Sequence, residues 1–140
     1  MAIRGLILSQ SHIILPPESE QGDTAIYWVG SSEKDLAKCP SEIKRTIGFV
    51  LRFAQRGSKH PLAKPLKGYQ GAGVLEVVKT FDGDAYRVVY TICFERSVYV
   101  LHCFQKKSNI GIETPEKEMR VIRARLQQVE SIHKAKQERY

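Results

Sequence analysis

An α+β fold built on a small antiparallel sheet is what this sequence predicts, and three observations predict it. Apolar residues recur at helical spacing between residues 40 and 57, and again from about 115 to 135. Three β-rich runs lie in series between those stretches, separated by turn signals. A further β-rich run stands ahead of the first helical stretch. The implied order is strand, two helices, three strands, helix, with helices against one face of the sheet and the other face left partly open.

Each element has a local reason. Ala25 to Val29 (AIYWV) is β-branched and aromatic, as a buried strand requires. Ser31-Ser32-Glu33-Lys34-Asp35 then opens a short helix, a serine cap followed by acidic residues. Pro40 suits the first turn of a longer helix whose Ile43, Ile47, Val50, Leu51 and Ala54 share one face, and Gly57 stops it. Together the two helices read as a helical hairpin. From Pro61 to Gly73 the chain is rich in proline and glycine and reads as loop.

The three strand-like runs are Val74 to Thr80, Ala85 to Phe94 and Val98 to Phe104. Asp82-Gly83-Asp84 marks the first hairpin turn, because Asp-Gly tolerates the positive φ that tight turns demand. Glu95-Arg96-Ser97 marks the second. Thr114-Pro115-Glu116 opens the last helix, with Glu116 and Glu118 complementing its dipole and Met119, Ile122, Leu126, Val129 and Ile132 forming one stripe. Pro16 to Thr24 is polar and turn-rich, so residues 1–24 form an N-terminal extension and residues 25–140 one domain.

Composition narrows the function classes. Twenty-two Lys and Arg against fifteen Asp and Glu leave a formal charge of +7, which favours polyanionic partners without specifying one. Cys39, Cys93 and Cys103 are odd in number and lack a CxxC spacing, which argues against a disulfide framework or zinc ribbon and for reduced thiols in a cytoplasm. The apolar patches at residues 6–8 and 13–15 are too short for a signal-peptide core or a membrane span. His12, His60, His102 and His133 are scattered, so no metal spacing is present and no cofactor is expected. The glycine-rich stretch 68–73 lacks the Gly-Lys-Ser/Thr of a phosphate loop and precedes a strand.

The candidate chemistry is cationic. Lys64 and Lys67 stand three apart beside Pro61 and Pro65. The middle strand supplies Tyr86, Arg87 and Tyr90, and the last strand supplies His102, Phe104, Lys106 and Lys107. Cleavage of RNA by its own 2′-hydroxyl needs that group deprotonated, the phosphorane charge neutralised and the leaving oxygen protonated. Arg and Lys answer the charge, His or Tyr can move protons, and an aromatic ring can hold a splayed base. Each residue also has a plain reading: solvated lysines at loop ends, core tyrosines, and a packed, hydrogen-bonded His102. Arg87 has the strongest individual case, since a strand-borne Arg is costly to bury unpaired.

Several blocks then look like one family. They are Tyr27 to Ser32 with Lys34-Asp35-Leu36, Lys64 to Gly68 (KPLKG), Tyr86 to Tyr90 (YRVVY), Val98 to Ser108 (VYVLHCFQKKS), and Thr114-Pro115 before a helix. The chain resembles, over about residues 25–130, the phage-derived Gp49-like branch of the HigB toxins within the RelE/ParE superfamily. The resemblance implies a RelE-like fold, a helix-turn-helix antitoxin (HigA-like) as partner, and ribosome-dependent, metal-independent cleavage of mRNA in the cytoplasm. It implies catalytic or phosphate-contacting roles for Lys64, Lys67, Arg87, His102 and Lys107, and RNA contacts from Tyr86, Phe104, Lys106 and Lys79. One departure stands out: Val78 occupies a strand position where many relatives carry Arg, and the adjacent Lys79 belongs to the opposite face. Two other readings share the fold: a ParE-like inhibitor of DNA gyrase, and a non-catalytic RNA-binding protein.

Overall fold

The computed structural model describes residues 24–94, 97–107 and 114–138. Eight elements follow one another: β1 (Ala25–Trp28), α1 (Ser32–Ala37), α2 (Ser41–Gln55), β2 (Lys64–Pro65), β3 (Val74–Phe81), β4 (Asp84–Phe94), β5 (Ser97–Lys107) and α3 (Glu116–Glu138). The α+β class and the element order agree with the sequence reading. The N-terminal extension expected at 1–24 lies, apart from Thr24, outside the described residues, as do Glu95 and Arg96 of the second hairpin turn.

The sheet differs from expectation in being mixed. Its order is β1-β5-β4-β3-β2, and β1 runs parallel to β5 while every other neighbour is antiparallel. A helical crossover returns the chain in the direction in which it left, which is what a parallel pair needs. β2 is a two-residue addition from the loop between Pro61 and Gly73, pairing Lys64 with Glu76 and Pro65 with Leu75. The turn between β3 and β4 is as tight as Asp-Gly predicts, with Asp82 at φ 54° and Gly83 at φ 86°.

Helices occupy both faces of the sheet, which corrects the expectation of a single covered face. On one side Ile43, Ile47, Val50, Leu51 and Ala54 of α2 meet Leu75, Val77, Val88, Tyr90 and Val100. All five predicted α2 positions are buried, and Phe49 and Phe53 are buried as well. On the other side Ile122, Leu126 and Val129 of α3 meet Leu66, Val74, Val89, Tyr99 and Leu101. Ile132, the last residue of the predicted stripe, is 50% exposed; at that turn it is His133 that meets the sheet, its ring 4.8 Å from that of Phe94 in β4.

The two helices follow β1, as the element order predicts, but they do not form the expected helical hairpin: they pack chiefly on the sheet, α1 on β5 and α2 across β3, β5, β1 and β4. The serines expected to cap α1 make other bonds. Ser31 has no side-chain capping bond and donates instead to Asp35 Oδ2 at 2.7 Å, while buried Ser32 donates to the carbonyl of Val100 at 3.0 Å. At the other end of α2, Gln55 is buried and its Nε2 donates to Thr24 O, with Thr24 N–H returning to Gln55 O at 2.8 Å. These bonds clamp the crossover to the parallel strand pair.

Gly30, between β1 and α1, has φ +56°, and a Cβ there would sit 2.7 Å from the Arg125 guanidinium. Both the backbone conformation and the close approach demand glycine. Gly30→Ala is expected to lower the stability by about 1–3 kcal/mol, measured by urea unfolding; a loss below about 0.5 kcal/mol would show that Arg125 moves aside without cost.

Candidate functional site

Register decides which candidate side chains meet. Directly paired residues on neighbouring strands share a face, so the rows can be read across the sheet. One row is Lys64, Glu76, Val89 and His102; the next is Val78, Arg87 and Phe104; the third is Thr80, Ala85 and Lys106. All three lie on the face that α3 packs against, beyond the buried patch around Val89 and Leu101. Five predicted residues, Lys64, Arg87, His102, Phe104 and Lys106, are thus brought to one face. Lys67 is exposed in the turn immediately after β2.

A bulge in β5 contributes to this grouping. Val89 pairs with His102 but Tyr90 with Val100, leaving Leu101 as an extra residue. Bulges re-aim the side chains beside them, and here Leu101 joins the α3 core while His102 and Phe104 stay on the same face. The two rings stack with centroids 4.7 Å apart and an interplanar angle of 28°.

Tyr86 and Lys79 are paired with each other on the opposite face. Tyr86 belongs to the core under α1 and α2, and burial beside the nearby Asp84 raises its phenol pKa above the ordinary value. The structure therefore does not bring these two to the Arg87 face. Lys107 stands opposite Asp84 at the end of β5; its side chain lies outside the described set.

The cations on this face are not all alike. Lys64 is exposed, but Arg87 is only 5% exposed and forms an ion pair with Glu76 at 3.3 Å. Thr114 Oγ1 lies 3.5 Å from both Arg87 Nη1 and Glu76 Oε2, joining the start of α3 to the pair. His102 is held through both ring nitrogens. Arg125 Nη1 lies 3.3 Å from Nδ1, and because a guanidinium only donates, Nδ1 accepts and the proton sits on Nε2. Nε2 then donates to Glu118 Oε1 at 2.9 Å. Arg125 also donates to Leu101 O at 2.8 Å and to Ser31 Oγ at 3.2 Å, so one guanidinium ties α3, β5 and the start of α1 together.

Sequence reading missed Glu76, Thr114, Glu118 and Arg125 as members of this site. Glu118 carried a signal, being acidic in the first turn of a helix, but that signal points equally to the dipole. Arg125 stands three residues after Ile122 and four before Val129, on the helix face that packs against the sheet, and a charged residue inside that apolar stripe was a signal that could have found it. Val78 is 38% exposed and pairs directly with Arg87. Among the described residues no three His, Cys, Asp or Glu side chains gather as metal ligands, and no helix is long and apolar enough to cross a membrane.

Fold and site define a small basic α+β domain in which cations and an aromatic ring share one face of a sheet, Lys64 exposed and Arg87, His102, Phe104 and Lys106 buried. A family model, Phage derived protein Gp49-like (DUF891), matches residues 34–127, two thirds of the chain, and the protein belongs to that family. It is a RelE/HigB-like toxin family, associated with the toxins of toxin–antitoxin systems. No curated protein and no solved structure matches the chain.

The Glu76–Arg87 pair gives a direct test of the site's electrostatics. Glu76→Ala leaves a buried guanidinium short of its counter-charge and is expected to cost about 3 kcal/mol, whereas the double replacement Glu76→Leu/Arg87→Met, which removes both charges and keeps the volume, should cost clearly less. Urea denaturation of both variants checks this; equal losses would mean that the pair is held by packing rather than charge.

Proposed function

We propose that the protein is the toxin of a type II toxin–antitoxin pair, of the HigB branch with a RelE-like arrangement, and that it cleaves messenger RNA on the ribosome without a metal. The observation that carries this reading is the alignment of Lys64, Arg87, His102, Phe104 and Lys106 on one sheet face. Family membership supports a toxin with an antitoxin partner; a HigA-like helix-turn-helix protein, the ribosome and the cytoplasm complete the proposal. In this reading residues 25–140 are the toxin domain and residues 1–24 an extension to it.

The chemistry follows from what each group can still do. The ribose 2′-oxygen attacks the adjacent phosphorus as its proton leaves, a cyclic phosphate forms, and the 5′-oxygen departs with a proton. Lys64 and Lys67 reach outward from β2 and the turn after it, and supply cations to the phosphate. Lys107 adds charge from the end of β5. Arg87, oriented by Glu76, contributes a fixed positive field to the phosphorane. Phe104, stacked on His102 and 8% exposed, and Lys106, 5% exposed, meet a splayed base and the backbone only where RNA binding uncovers them. His102 has both nitrogens engaged within the protein, which suits holding Phe104 in place better than moving a proton. Tyr86 and Lys79, on the other face, would act on RNA only if it wraps the strand end.

A non-catalytic RNA-binding reading is favoured by a specific observation. Arg87 and His102 are buried and bonded to the chain's own carboxylates, and Val78 puts an apolar side chain between the remaining cations.

Induction is expected to arrest growth and to produce ribosome-dependent breaks within translated messages, mapped by primer extension. Lys64→Ala, Lys67→Ala and Lys107→Ala combined should slow cleavage at least about a hundredfold while the antitoxin complex still forms. Intact mRNA with gyrase-linked DNA breaks would support the ParE-like activity instead. A folded, non-toxic product that retains RNA affinity would support the non-catalytic reading.

A further inference from the structure

The face opposite the cationic rows holds two thiols that the proposed reaction does not use. Cys39 follows α1, and Cys103 lies in β5 between His102 and Phe104. Their sulfurs are 3.8 Å apart in a part-buried contact. Both line a cleft of about 330 Å³, whose wall also includes Asp35, Lys38, Tyr86 and Gln105. Cys103 is 3% exposed and Cys39 half-buried, so a small polar molecule entering the cleft meets Cys39 first.

We propose that Cys39 and Cys103 are a redox-active dithiol, which hydrogen peroxide closes to an intramolecular disulfide joining the segment after α1 to β5. The sulfurs need approach by only about 1.8 Å to reach bonding distance. Cys39 stands two residues beyond the C-terminus of the six-residue α1, in the short link to α2, where its N–H donates to Leu36 O at 3.0 Å.

The step balances as two thiols and one peroxide giving one disulfide and two waters. The Cys39 thiolate attacks the distal peroxide oxygen, the O–O bond breaks, and a sulfenic acid and one water form. Cys103 sulfur then attacks Cys39 sulfur and expels the oxygen as the second water, its own proton leaving with it. Two electrons pass from the sulfurs to the peroxide. The environment supports this order. The hydrogen bond from Cys103, aided by the Lys44 ammonium, lowers the Cys39 thiol below its ordinary value, while that same contact and burial raise Cys103. Cys39 is thus the nucleophile and Cys103 the resolving thiol.

The consequence reaches the other face. Cys103 alternates with His102 and Phe104 along β5, so tethering it to the segment after α1 constrains the strand that seats the aromatic ring. Formation of the bond itself does not depend on the nuclease reading, and its detection distinguishes failure of one from failure of the other.

The test uses the purified full-length chain treated with hydrogen peroxide in modest excess. The intact mass should fall by about 2 Da, and non-reducing digestion should yield a peptide linking Cys39 to Cys103 that dithiothreitol releases. Cys93→Ser should keep the link. Cys39→Ser, at the half-buried position, should lose it while remaining folded, so the outcome does not rest on a Cys103 variant that fails to fold. The oxidised chain should unfold at a higher urea concentration than the reduced one. Stepwise addition of oxygen to Cys39 without a link, a bridge that involves Cys93, or thiols left intact where free glutathione is fully oxidised would each overturn the proposal.

Discussion

The double pairing of β5 is the constraint on which the rest of the structure depends. One edge of β5 is bonded in parallel to β1, the other antiparallel to β4, and helices cover both its faces. A strand enclosed in this way must direct alternate side chains into two different interiors. Val98, Val100 and Cys103 go to the core under α1 and α2, while Tyr99, Leu101 and Phe104 go to the core under α3. The bulge at Leu101 lets the strand serve both, and it turns His102 and Phe104 to the same face as Leu101.

Burial of charge follows from that enclosure. A sheet covered on both sides cannot carry Arg87 or His102 without partners, and the partners come from distant segments. Glu76 from β3 and Thr114 before α3 meet Arg87, and Glu118 and Arg125 from α3 hold His102. Such pairs contribute little net stability, since desolvation offsets most of the attraction, but leaving either member alone is costly. They therefore specify the seat of α3 more than they strengthen it. Arg125 extends this role, because it also reaches the start of α1 and requires a glycine at position 30.

The proposed phosphate-binding face and the proposed dithiol lie on opposite sides of β5 and share it as a mechanical element. Rigid strands hold functional groups more precisely than loops do, and Arg87, His102, Phe104 and Cys103 are all strand-borne. The exposed Lys64 and Lys67, by contrast, stand on the two-residue β2 and the turn after it. That division suits the proposed cleavage of RNA.

The amino-acid pattern by itself determined the element order, because each element had a local cause: helical spacing in α2 and α3, β-branched runs in the strands, and Asp82-Gly83 in the turn. It also determined the α+β class and the residues of α2 that face the core. Only the tertiary structure decided that β1 runs parallel to β5, that α3 covers the second face, and which candidates meet. The reason is that pairing direction and layer assignment depend on contacts between segments far apart along the chain. A strand's two-residue period says that Tyr86 and Arg87 point oppositely, but not which of the two interiors each one enters. Glu76 and Glu118 were ordinary surface charges until the fold brought them against buried groups that needed them.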